Sequence, residues 1–393
     1  MKCWKNKTIN NICKILDNKR VPISKKNRIS GIYPYYGASG IVDYIDKYIF
    51  DEELVLIGED GAKWGAFENS AFIVNGKYWV NNHAHILKPN NEILINKFLV
   101  YFLNYSNLEK YITGATVKKL NQQKLKQIEI PLPPLKEQER IVGILDESFA
   151  KIDESIKILE QDLLNLDELM QSALQKAFNP LKDNAKENYK LPQGWEWKSL
   201  GEISNLIQNG FAASKNNEIP SGYVHLRTHN ISTDGNLNFD TLIKIKREFI
   251  KEKQSFIEKN DILFNNTNST ELVGKTALVT QNYNYAFSNH LTKIKLKNQY
   301  NSKLVVFYFV LLLKNKYFEK ICHQWIGQSG INIDKLKKIQ IPLPPLKEQE
   351  QIASHLDELS SHVKNLKQNY QAQIKDLQEL KNSLLDKAFK GNL

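Results

Sequence analysis

The chain has 393 residues, 41% hydrophobic and 25% charged, an ordinary globular composition that excludes disordered and collagen-like classes and can fill two or three cores. Its longest apolar stretch, Leu304 to Leu313, falls short of the roughly 20 residues of a membrane helix, and the opening MKCWKNKTINN lacks a signal peptide's apolar centre, so a soluble cytoplasmic protein is expected. Three cysteines (Cys3, Cys13, Cys322) without a CxxC pair exclude a disulfide framework or zinc site, and the net charge of +11 points to a polyanionic partner.

In chain order, residues 1–127 form a basic block with 19 Lys and Arg against 11 Asp and Glu. Short strands are expected at residues 54–58 and 71–74, between loops of Gly, Asn and Ser, and a helical segment at 96–112. Residues 128–180 are acidic, 5 against 11, and the motif IPLPPLKEQE (Ile130 to Glu139) opens a long helix there. Pro134 suits its first turn, and Glu137 and Glu139 sit at the positive end of its dipole. Its apolar seam, Ile141, Leu145, Phe149, Ile152, Ile156, Leu159, Leu163, Leu166, Met170, Ala173 and Ala177, steps by threes and fours. Residues 181–190 read as a linker. A second basic block follows at 191–338, which with the linker (181–338) counts 23 against 14, with strands expected at 262–264, 276–280 and 291–296 and a helical segment at 302–322. Residues 339–393, balanced at 7 against 7, return to a long helix. Its seam is Ile352, Leu356, Leu359, Val363, Leu366, Tyr370, Ile374, Leu377, Leu380, Leu384 and Ala388.

The chain repeats itself. Ile128 to Phe178 aligns without a gap on Ile339 to Phe389, 211 residues later, through IPLPPLKEQE, LDE and KAF. The basic blocks repeat more faintly: Trp4, Ile9, Ile12 and Ile15 match Trp195, Leu200, Ile203 and Leu206, and Asn82-His83 matches Asn289-His290. Each long helix spans about 44 residues, or ~66 Å. The short linker sets block two beside the far end of helix one, so helix two must run back along it. The expected fold is α+β: two mixed α/β blocks separated by an antiparallel coiled coil with approximate two-fold symmetry.

Enzyme signatures fail on inspection. Gly274-Lys275-Thr276 lacks the first glycine of a phosphate loop and leads into a strand, and GEDGAKWG does not fit GxGxxG. Glu196-Trp197-Lys198 has nuclease-like spacing without the Pro-Asp pair that would complete it, and neither the glycine-rich loop nor the NPPY-type tetrapeptide of an adenine methyltransferase occurs. His83 and His85, without nearby Cys or further His, read better as hydrogen-bonded histidines than as metal ligands. What remains suits the reading of base edges, since Asn and Gln can bind adenine bidentately, Arg and Lys guanine, and Lys also phosphate. In block one these candidates are Lys63 and Trp64 on a glycine loop, Asn81, Asn82, His83 and His85 after a strand, and Lys118, Lys119 and Asn121 before the long helix. In block two they are Asn209, Phe211, Ser214, Lys215, Arg227, Thr228, His229, Asn230, Asn265, Asn266, Asn268, Lys275, Asn289, His290, Gln324 and Gln328.

The duplicated IPLPPLKEQE, with LDE and KAF, joins three further segments: YPYYGASGIVDYIDKYIFDEELVLIGEDG (Tyr33 to Gly61), WVNNHAHILKP (Trp79 to Pro89) and LPQGWEWKSLGEIS (Leu191 to Ser204). Together they make the chain resemble, along essentially its whole length, the specificity subunit of a type I restriction-modification system. One departure is that block one opens at Trp4 without the LPxGW lead-in. The resemblance implies two target recognition domains, each reading half of a bipartite sequence in double-stranded DNA. It implies that the long helices act as a ruler and dock two modification subunits, with restriction subunits joining them. It further implies no catalytic centre, cofactor or metal in this chain; S-adenosylmethionine, ATP and magnesium belong to the partners. The rival readings are a coiled-coil scaffold whose basic blocks bind RNA or protein, and a self-sufficient nuclease or methyltransferase, for which the motifs are missing.

Overall fold

The computed structural model describes residues 4–178, 191–250 and 256–393; Cys3 and the expected linker at 181–190 lie outside the described residues. The chain divides into two compact units, the first comprising residues 1–161 and 370–393 and the second residues 162–369. Each unit therefore holds one basic block, the first part of the long helix that follows it, and the last part of the other long helix.

In unit 1 the elements are β1 (Lys5–Thr8), α1 (Ile9–Ile12), β2 (Cys13–Ile15), β3 (Ser30–Gly37), β4 (Gly40–Ile45), β5 (Phe50–Asp51), β6 (Leu54–Gly58), β7 (Ala71–Val74), β8 (Lys77–Val80), β9 (Ala84–Pro89), α2 (Asn96–Tyr105), α3 (Gln122–Leu125), β10 (Glu129–Leu132) and the start of α4 (Leu135–Phe178). An antiparallel sheet of order β2-β9-β6-β7 forms the core, where Leu54, Val55, Leu56 and Ile57 are all buried, as a strand covered on both faces requires. A second sheet, β4-β3-β8-β5, contains one parallel pair, β3 with β8. β1 pairs with β10.

Unit 2 continues with β11 (Glu196–Ser199), α5 (Leu200–Ile203), β12 (Ser204–Asn209), β13 (Glu218–Leu226), β14 (Lys244–Ile245), β15 (Ile262–Asn265), β16 (Thr267–Asn268), β17 (Thr276–Leu278), β18 (Ala286–Phe287), β19 (Leu291–Leu296), α6 (Ser302–Lys314), α7 (Tyr317–Ile321), β20 (His323–Trp325), β21 (Gln328–Gly330), α8 (Ile333–Lys337), β22 (Gln340–Leu343) and the start of α9 (Leu346–Phe389). Its main sheet, β12-β19-β15-β17, repeats the order of β2-β9-β6-β7 strand for strand, and β13 with β18 repeats the parallel pair. β11 pairs with β22 as β1 does with β10. Beyond this shared plan, β16-β21-β20 forms a small third sheet.

The strands read from sequence fall on β6, β7, β15, β17 and β19. The helix expected over 96–112 ends at Tyr105 and gives way to turns, and that over 302–322 breaks between α6 and α7, where Lys316 takes a positive φ of 56°. The long helices start later than the repeat that announces them. Residues 129–132 and 340–343 are strands of the globular blocks, and Pro134 and Pro345 precede the first turn, their carbonyls accepting from Glu137 and Gln138 and from Glu348 and Gln349.

Both long helices run 44 residues. In unit 1 the start of α4 (Ile141, Leu145) packs with the end of α9 (Leu385, Ala388, Phe389). In unit 2 the end of α4 (Leu174, Phe178) packs with the start of α9 (Ala353, Leu356). The pairing is antiparallel in each. Every expected α4 seam residue from Ile141 to Ala177 is buried or half-buried, but Leu366 and Leu380 of α9 are exposed. Lys367 and Lys381 hold the seam positions instead, their ammonium groups pairing with Asp167 and Asp153 at 2.7 Å, with Lys381 over the Phe149 ring. The helical period is 3.6, so an apolar residue three positions on can fall outside a seam that a residue four positions on enters.

Candidate nucleic-acid interface

In unit 1 three loops gather at one end of the main sheet: the glycine loop after β6, the β8–β9 turn at Asn81 to His83, and the turn at 113–119. A buried ionic network holds them together. Asp17 accepts from His85 Nδ1 (2.6 Å), Gln122 Nε2 (2.9 Å) and the Ile86 amide (3.0 Å). His85 Nε2 faces the Leu120 carbonyl at 2.6 Å, so the ring is held between two oxygen acceptors. Glu59 pairs with Arg20 and, at 2.8 Å, with Lys119, while Arg20 Nη1 also donates to the carbonyls of Ala84 and Asn82. Burial by itself would raise the Asp17 and Glu59 pKa values; hydrogen bonds and charge from His85, and for Glu59 from Lys119 and Arg20, outweigh it and hold both below the ordinary carboxylate range. Asp17, Glu59 and His85 bring ligand-type atoms within 4.8 Å of one another, but these hydrogen bonds and ion pairs already engage them.

The network sorts the block-one candidates. Lys63, Asn82, His83 and Lys118 are exposed on the gathered loops, with His83 Nδ1 2.5 Å from Asp60, and Lys119 is half-buried beside Glu59. Trp64, Asn81 and His85 are buried and present no face to a ligand: Trp64 donates to the Gly58 carbonyl at 3.1 Å, and Asn81 accepts from the His83 amide at 2.7 Å. Asn121 caps α3 by accepting from the Lys124 amide. For these four the expectation of base reading is corrected, since each uses at least one side-chain polar atom to shape a loop.

Unit 2 gathers the matching loops with neutral groups. Buried Asn266 donates through Nδ2 to Thr292 Oγ1 (2.9 Å), the Asn289 carbonyl (3.0 Å) and Asn209 Oδ1 (3.3 Å), tying the ends of β12, β15 and β19. Around this knot, Asn209, Asn289, Gln324 and Gln328 are exposed and Asn268 and His290 half-buried. A second group lies near the end of β13, where Ser214, Lys215 and His229 are exposed and Arg227 and Thr228 half-buried. Buried Lys275 joins the β15–β17 turn to this group by donating to the Thr228 carbonyl at 2.9 Å, and burial lowers its pKa. Gly274 before it has φ +96° and Thr276 after it is on a strand, so the apparent phosphate-loop remnant is a tight turn. Phe211, Asn230, Asn265, Asn266 and Lys275 are buried, and their assignment as base readers is corrected to loop support. Asn230, for example, donates to the carbonyls of Asn238 and Thr241 and accepts from the Arg227 amide.

Asp17, Glu59 and Arg20 look like ordinary surface charges in the sequence and carry no signal of this network there, nor do two glutamines inside the repeated IPLPPLKEQE motif signal their own role. Gln138 accepts from the Ile95 amide (2.9 Å) and donates to the carbonyls of Pro133 and Ile93 (2.8 Å each). Gln349, 211 residues on, accepts from the Asn301 amide (2.9 Å) and donates to Pro344 (2.8 Å). Each locks a long helix to its block.

A family model described as the type I restriction modification DNA specificity domain matches residues 1–163 and 192–376. A protein of Haemophilus influenzae, named among type I restriction enzyme specificity subunits, is 30% identical over 381 residues, covering 95% of this chain and 92% of that protein. The EcoKI specificity subunit of Escherichia coli K12 is 25% identical over 317 residues, 78% of this chain and 68% of that one. A solved chain from work on complex assembly and conformational transition of the type I R-M system has the same fold, with a TM-score of 0.74 at 19% identity, covering 100% of this chain and 99% of its own. With the domain matched once in each half and the scaffold built twice, the chain belongs to the type I restriction-modification DNA specificity family.

Proposed function

We propose that this chain is the sequence-reading subunit of a type I restriction-modification complex, and that each unit reads one half of a bipartite duplex target. The observation that carries this reading is one loop-gathering scaffold built twice, with different exposed side chains on each copy. Equal scaffolds present loops equivalently, and beside the shared Asn82-His83 and Asn289-His290 pairs, Lys63 and Lys118 in one and Asn209, Gln324 and Gln328 in the other offer different donors and acceptors to base edges. Two different half-sites follow. The basic surplus of both blocks supplies phosphate attraction that weakens steeply with salt.

In this reading the chain performs no chemistry and acts in the cytoplasm. The long helices set the spacer between half-sites and dock two modification subunits that bind S-adenosylmethionine and methylate adenine. Restriction subunits using ATP and magnesium join these. The rival scaffold for RNA or unrelated proteins has no support among the relatives. Mapping methylated adenines in cells with and without the gene tests the proposal: one bipartite motif should lose methylation, and an unchanged map would overturn it.

A further inference from the structure

Both units carry a finger at the same place in the repeat. Asn121 and Asn332, 211 residues apart, each cap the short helix before a long one by accepting from the amide three residues on, and a finger immediately precedes each cap. In unit 1 the amides and carbonyls of Thr113 and Lys119 exchange hydrogen bonds at 2.8 and 2.9 Å, closing a turn with Val117 66% exposed at its tip. In unit 2, β20 and β21 pair His323 with Gly330, Gln324 with Ser329 and Trp325 with Gln328, leaving Ile326 and Gly327 as the turn. Gly327 has φ +80°, which suits glycine there. Ile326 is 105% exposed and Trp325 56%. A Cβ on Gly330 would meet the Trp325 ring at 2.8 Å, and His323 meets that ring edge-on at 4.9 Å, so Trp325 is braced while Ile326 caps the finger.

Their roots place the fingers among the gathered loops. Lys119 bridges Asp60, which contacts His83. β21 pairs with β16, which carries Asn268, and the Ile331 amide donates to Asn266, whose own amide donates to His290. Apolar tips on fingers flanked by Lys118 and Lys119, or by Gln324 and Gln328, are surfaces that lysine and glutamine alone do not explain. A major groove about 12 Å wide admits a two-stranded ribbon and presents the thymine methyl as an apolar contact.

We propose, on the basis of the DNA-reading function above, that the two fingers enter the grooves of the two half-sites and that Val117 in one, and Trp325 with Ile326 in the other, contact bases as apolar specificity determinants. The flanking lysines and amides hold phosphates and base edges. The test uses the full chain assembled with its modification subunits and duplexes carrying the mapped motif or a scrambled one, titrated across salt. Trp325→Ala with Ile326→Ser should weaken motif binding at least 10-fold, leave scrambled binding unchanged, and keep the salt slope, because no charge is lost. Val117→Ser should do the same for the other half-site, and Lys118→Ala should reduce the slope by about 1 on both duplexes. Unchanged thermal unfolding shows that the tips are not structural. Motif binding within two-fold of the parent overturns the proposal, as does loss of subunit assembly with DNA binding intact, which would make the fingers protein-docking elements. A parent complex that cannot tell motif from scrambled duplex overturns the function itself, a distinguishable failure.

Discussion

His225 and His85 show how one residue type serves opposite ends. His225, buried in unit 2 against the Phe211 ring and carbonyl, is pushed down to about 4 by burial and then by the Arg227 charge. Unfolded, it titrates near 6.5. Stability resting on the neutral ring is therefore whole above pH 6.5, falls as pH drops towards 4, and is spent below that; about 3 kcal/mol is involved at most. His225→Phe should remove that part of the pH dependence, which urea midpoints between pH 8 and 4 will show. His85 instead bonds acceptors on both sides, so His85→Leu takes one of its donors from the buried Asp17 carboxylate and the side-chain donor from the Leu120 carbonyl, and should cost unit 1 about 2–3 kcal/mol in denaturant unfolding. Neither role is legible in a lone histidine symbol, because each rests on hydrogen-bond partners between 14 and 68 positions away.

At the scale of elements, the repeated KAF and KEQE segments have mechanical reasons. Phe389 at the end of α9 meets Phe98, Phe102 and Tyr105 on α2 with ring centroids 5.1 to 5.3 Å apart, and Phe178 at the end of α4 meets Tyr308 on α6 at 5.0 Å. Phe389→Ala should destabilise unit 1 by about 3 kcal/mol or more, read as a lowered urea midpoint. Gln138→Leu and Gln349→Leu each leave a backbone amide and at least one carbonyl unpaired and should each cost about 2–3 kcal/mol, measured the same way. The seam was readable because a sustained apolar period has one geometric meaning. Lys367 and Lys381 escaped it, since their apolar stems enter the seam while their charges find aspartates on the other helix.

For the whole molecule, the proposal that paired helices set a spacer makes a length prediction. Deleting one heptad from both long helices keeps each seam in phase and should shift the methylated motif's spacer while both half-site sequences persist; adenine-methylation mapping reads the change, and an unaltered spacer would falsify the ruler. The chain's own letters determined the duplication, the two long helices, the α+β class and the family resemblance, because repeats and periodicity are properties of order along the chain. Only the tertiary structure decided which polar residues face solvent and which, such as His85, Asn230 and Asn266, are consumed in holding loops. It also decided that the residues just before the long helices, 129–132 and 340–343, pair as strands of the blocks. Polar side chains have the same composition whether they read a partner or brace a turn, and only burial and hydrogen-bond partners distant in sequence tell those uses apart.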